Sequence, residues 1–82
     1  MTLKRNTLKL TMHFVERYHE RILNVNDKIS FKRVYKDLNR RLTLAEKESI
    51  LLLANEHVEK VKIPLGMINT MVIKNGTFVT VY

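Results

Sequence analysis

The hydrophobic pattern of this 82-residue chain changes near residue 57 from a helical repeat to the alternation of strands. Helices grouped before strands, instead of alternating with them, point to an α+β domain with an antiparallel sheet. The helical block carries three stripes. Val15, Tyr18 and Ile22, with Phe14 beside them, recur at helical spacing; Thr11 stands where an N-cap belongs, and Asn24 and Asn26 are stop signals, so a helix is predicted from Met12 to about Leu23. Ser30 is placed to cap a second helix whose apolar stripe is Phe31, Val34, Tyr35, Leu38 and Leu42. Thr43-Leu44-Ala45-Glu46 has the spacing of a capping box, in which threonine and glutamate each satisfy the other's backbone N–H. It starts a third helix at Leu44, which runs through the apolar segment Ile50–Ala54 to about His57 and is expected to be central.

Thr7–Thr11 alternates polar and apolar residues and reads as a short first strand or extended arm. Alternation resumes after Val58. Pro64-Leu65-Gly66 marks a turn, Met67–Lys74 is strand-like, and Asn75-Gly76 is a strong signal for a two-residue hairpin, which needs positive φ at both positions. A regular hairpin about this turn would pair Ile73 with Phe78, Val72 with Val79, Met71 with Thr80 and Thr70 with Val81. One face would then hold Val72, Val79 and Val81, and the other Met71, Ile73 and Phe78. Apolar residues on both faces call for helices on both sides, or for another chain. The expected architecture is a short N-terminal strand, three helices and a C-terminal three-stranded antiparallel meander, in a single domain over residues 1–82.

Charge divides the chain as sharply as period does. Residues 1–41 hold eleven Lys/Arg against four Asp/Glu, and residues 42–82 hold four against four, so the whole net charge of +7 belongs to the first half. One cationic side suits docking on a polyanion, nucleic acid above all, because each phosphate neutralised releases counterions. With no cysteine there is no disulfide framework and no thiolate zinc site, which fits a reducing compartment. The N-terminus lacks the apolar segment of a signal peptide, and the longest apolar run falls far short of the roughly 20 residues that span a bilayer. A cytoplasmic location, in a bacterium or a phage-infected host cell, and no membrane partner are therefore expected. At this size a chain buries only roughly 60–65% of its unfolded surface, so a protein partner or a second copy would add stability.

Two constellations stand out. His13, Arg17 and Arg21 recur every four residues on the first helix: two guanidinium forks follow a histidine able to exchange a proton near neutral pH. The alternative is a solvated face on which Arg17 and Arg21 pair with Glu16 and Glu20. The second is Lys28, Lys32, Arg33, Lys36, Arg40 and Arg41 on and before the second helix, with Asp37 as its only acid. Such a stripe contacts phosphate without reading sequence, or it serves only solubility. A helix-turn-helix fits poorly, since Glu46 and Glu48 would meet phosphate at the start of its recognition helix. His13, His19 and His57 are too scattered for a metal site, and His57 is placed to face its helix's C-terminal dipole. Both glycines serve turns and no serine has a His/acid pair, so no cofactor and no metabolic chemistry are expected. The aromatic residues lie on core stripes, except Tyr82.

A strand ending in Thr11, a helix with His13, Glu16, Arg17, Glu20 and Arg21, and a late hairpin ending Thr80-Val81-Tyr82 together resemble small BrnT-like toxins of the RelE ribonuclease superfamily and related phage proteins. The resemblance covers two short segments at the ends of the chain. It implies a sheet packed by helices and metal-independent cleavage of RNA by attack of the ribose 2′-OH, with His13, Arg17 and Arg21 as the helix contribution and Tyr82 from the last strand. The chain departs from the pattern in its late strands, where residues 63–82 supply Lys74 as the only cation. Two functions are thus expected: a nucleic-acid-binding protein, RNA favoured over DNA, which acts as a ribonuclease if the resemblance holds; or an interaction protein of a phage or mobile element that binds a host protein through its basic face or apolar sheet.

Overall fold

The computed structural model describes residue 3 and residues 8–25, 28–56 and 60–82. The expected roles of His57 and Asn26 lie outside these. Strand β1 (Lys9–Leu10) leads into helix α1 (Met12–Tyr18), which continues as a π-helical segment (His19–Leu23). Helices α2 (Phe31–Arg41) and α3 (Leu44–Glu56) follow, then strands β2 (Val61–Leu65), β3 (Asn69–Lys74) and β4 (Thr77–Val81). The fold is α+β, as the change of period predicts. Its sheet is mixed and has four strands in the order β1-β4-β3-β2. The last three are antiparallel neighbours, and β1 adds to β4 in parallel.

All three N-caps are where the sequence places them. Thr11 Oγ1 accepts the Phe14 N–H at 3.0 Å, Ser30 Oγ accepts the Arg33 N–H at 3.2 Å, and the Thr43–Glu46 box closes at 3.2 and 2.9 Å. The first helix departs from expectation after Tyr18, where the turn widens to π geometry and ends at Asn24 in the left-handed conformation (φ 56°). This widening coincides with a histidine turned into the interior: His19 is buried, and its Nε2 accepts the Ser30 N–H at 3.2 Å. The end of the first helix is thereby tied to the cap of the second.

The hairpin turn forms at Asn75-Gly76, both with positive φ, and Lys74 and Ile73 pair with Thr77 and Phe78 as expected. Beyond that the register slips by one residue: Val72 pairs with Thr80 and Met71 with Val81, leaving Val79 in a β-bulge. The bulge has a packing consequence. Phe78 and Val81 are three apart and would face opposite sides of a regular strand, whereas an extra residue lets both join the core with Met71 and Ile73. Thr11 reinforces the site, its N–H donating to Phe78 O and its hydroxyl to Val79 O, each at 3.0 Å.

The core lies on one face of the sheet, where Phe14, Val15 and Tyr18 of α1 meet Val34, Tyr35 and Leu38 of α2 and the strands. Phe14 stands edge-on to Phe78 at 5.3 Å. Val72 is buried outside this cluster, between Lys62 and Thr80 across the ladder, so the expected face of Val72, Val79 and Val81 does not exist. Nor is α3 central. Among its described side chains Ile50 is buried and Leu51 partly so, while Leu44 and Leu52 are more than half exposed. A run of five apolar residues wraps every side of a helix, and one neighbouring layer covers only part of it. At the other end of the fold, Asn39 on α2 clamps Leu3 through both of its backbone groups, at 2.7 and 3.0 Å, and the Tyr35 hydroxyl donates to Leu8 O.

Candidate nucleic-acid interface

Helix α2 is long enough for three turns, and its burial pattern sorts its charges. Val34, Tyr35 and Leu38 face the core, which puts Lys32, Arg33, Lys36 and Arg40 on the exposed side at three- and four-residue spacing. Lys28 is exposed just before the helix. Lys32, Lys36 and Lys28 make no hydrogen bond or ion pair with the described residues, so their ammonium groups are open to a ligand.

Arg40 and Arg41 are a separate pair. The only acid on the helix, Asp37, is 7% exposed; its Oδ1 accepts from Arg40 and its Oδ2 from Arg41 Nε, both at 2.6 Å. The Tyr18 hydroxyl reaches across from α1 and donates to the same Oδ2 at 2.6 Å. Burial alone would raise the Asp37 pKa, but the hydrogen bonds from Tyr18, Arg40 and Arg41 outweigh it and hold the carboxyl below its ordinary value. For Tyr18 the balance runs the other way: burial, then the bond to Asp37, pushes the phenol well above its ordinary range. Asp37 also raises the Arg41 pKa, chiefly by accepting its hydrogen bond. Two of the six predicted phosphate contacts are therefore half-neutralised and fixed in direction. Arg40 nonetheless leaves most of its side chain in water.

Three of the four predicted catalytic residues are spread along the first helix and its π segment. His13 is exposed in its first turn; Arg17 is half-buried and paired with Glu20 at 2.9 Å, the solvated ion pair that the spacing allows. Arg21 is exposed on the π segment, eight residues beyond His13. It lines a cleft of about 470 Å³ with Arg41, Glu46 and the β2–β3 turn at Gly66, Met67 and Ile68. His13 and Arg17 are not among the lining residues. Asn69, also on the cleft wall, donates from Nδ2 to Tyr82 O at 2.7 Å, which puts Tyr82, itself more than half exposed, at the Arg21 end of the sheet. The geometry thus unites Arg21 with Arg41 and brings Tyr82 near, and leaves His13 apart.

Sequence reasoning missed the Tyr18–Asp37 bond and the exposed Met67-Ile68 tip. Arg40 and Arg41 at i+3 and i+4 from Asp37 were a readable signal for the ion pairs; nothing local marks the tyrosine as their partner. Among the described residues there is no cluster of three metal-ligating side chains, and no helix is long and apolar enough to cross a membrane. No family model, no curated protein and no solved structure matches the chain.

Proposed function

We propose that the chain binds nucleic acid, RNA in preference to DNA, through the exposed face of α2. The observation that carries this reading is that Lys32, Arg33, Lys36 and Arg40 share one solvent-facing side of a helix whose only acid is buried beneath it. Four cations along about 12 Å of rigid helix follow a phosphate backbone at low entropic cost, and contacts of this type bind without reading bases. The preference for RNA rests on the resemblance to RelE-type toxins. Cleavage is the more demanding form of the same proposal, because it needs His13, Arg17, Arg21 and Tyr82 to meet one scissile phosphate. With His13 far along the helix from Arg21, binding is the better-supported activity.

The test is binding of a labelled generic RNA and a DNA duplex to the full chain at low salt. Binding to RNA, weakened in Lys32→Ala/Lys36→Ala, is expected; absence of binding to either overturns the proposal. Incubation of RNA with excess protein tests cleavage separately. Loss of cutting in His13→Ala and Arg17→Ala supports the ribonuclease form, and RNA left intact by the wild type removes it.

A second reading has its own observation. Leu42, Ile50, Leu53, Ile63 and Pro64 line an apolar groove between α3 and β2, and Leu44 and Leu52 are exposed elsewhere on α3. A protein partner seated there would complete the helix's burial, and capture of a host protein that survives nuclease treatment would support it.

A further inference from the structure

We propose that the cleft between the π segment, α2 and the β2–β3 turn holds an unpaired nucleotide, which makes the ligand single-stranded RNA. This rests on the nucleic-acid reading above and names the form of the ligand. Three observations meet in the cleft. Arg21 has no hydrogen-bond or ion-pair partner among the described residues, so its fork of donors is available to a phosphate. Met67 and Ile68, at 102% and 91% exposure, are consecutive on the turn that forms part of the cleft wall. Two consecutive large apolar side chains in water gain by covering apolar surface, and a nucleobase offers such surface on each face. The third is size. A cleft of about 470 Å³ falls within the range of small-molecule sites and can take in a single nucleotide.

The remaining groups are compatible with this occupant and orient it. Glu46 is the one acid among the described residues of the cleft wall, and its carboxylate, which accepts the Thr43 N–H, repels a phosphate from its own side of the cleft. Arg41, fixed through Nε by Asp37, lines the cleft on the α2 side. Asn69 spends its Nδ2 on Tyr82 O and keeps Oδ1 without a partner among the described residues, an acceptor for a base amino group. Gly66, with positive φ and nothing within 4 Å of a would-be Cβ, leaves the backbone of the turn open to approach. A strand running along the Lys32–Arg40 face is thereby led, past Arg41, to a place where a base leaves the stack.

The experiment compares a labelled 12-nucleotide single-stranded RNA with a blunt RNA duplex of equal length, for the wild type, Met67→Ser/Ile68→Ser and Arg21→Gln. Both substituted sites are exposed, and circular dichroism confirms that the variants fold. The wild type should bind the single strand at least about tenfold more tightly, and the double variant should lose about five- to tenfold on the single strand while staying within about twofold on the duplex. Arg21→Gln should likewise weaken single-strand binding more. Equal wild-type affinity for both RNAs, or equal losses on both, overturns the proposal while leaving nucleic-acid binding intact. A double variant that keeps the wild-type affinity for the single strand also overturns it. No binding of either RNA at low salt overturns the underlying reading instead.

Discussion

Tyr18→Phe removes one oxygen from the interior and one donor from a buried carboxylate, and its effects should reach beyond the tyrosine. The Asp37 carboxylate loses a bond at 2.6 Å, so urea unfolding at pH 7 should show a loss of about 1.5–3 kcal/mol. The same pair sets two pH limits. Folded Asp37 binds its proton more weakly than the unfolded chain does, so its contribution is complete above the ordinary carboxylate range and is lost as pH falls through the folded value. Folded Tyr18 holds its proton more tightly, so its contribution is present below about pH 10 and is lost as pH rises beyond it. Denaturant midpoints at pH 3, 7 and 10.5 should therefore fall at both extremes for the wild type. Tyr18→Phe should flatten the alkaline fall and Asp37→Asn should lessen the acid one; unchanged limbs would detach both residues from this account. Thr11→Val should cost about 1–2 kcal/mol in the same assay, since one hydroxyl both caps α1 and holds the bulge carbonyl of Val79.

Elements were legible where the signal is local. Thr11, Ser30 and Thr43 cap the helices they precede because capping depends on the next three residues, and Asn75-Gly76 turns because its φ values are intrinsic to those residue types. The bulge at Val79, the π segment at His19 and the partial burial of α3 were not legible, because each is decided by packing between elements far apart in sequence. The bulge reconciles the alternation of β4 with a core that wants both Phe78 and Val81. The candidate site divides in the same way: exposed Lys32 and Lys36 follow from helical period, whereas the meeting of Arg21 with Arg41 requires the tertiary fold. Two substitutions check the elements. Gly76→Ala should cost about 1 kcal/mol or more, because its φ of 76° strains any residue with a Cβ. On α3, Ile50→Ala should cost about 2–4 kcal/mol and Leu52→Gln less than about 0.5, as measured by thermal or urea unfolding; comparable losses would mean that α3 is buried on both sides.

For the molecule as a whole, five of the first half's eleven cations lie on α2, and one of them, Arg41, also lines the cleft with Arg21. Phosphate contact by charged side chains has a thermodynamic signature that apolar partners do not share: affinity for a single strand falls with salt at a log–log slope of about −0.7 per phosphate neutralised. The most direct measurement is that slope, taken for a generic single-stranded RNA with the wild type and with Lys32→Ala/Lys36→Ala. Contacts by Lys32, Arg33, Lys36 and Arg40 predict a wild-type slope near about −3 and a variant slope shallower by about 1.4. A wild type that does not bind at low salt, or two slopes that coincide, would contradict the assignment of the α2 face to phosphate.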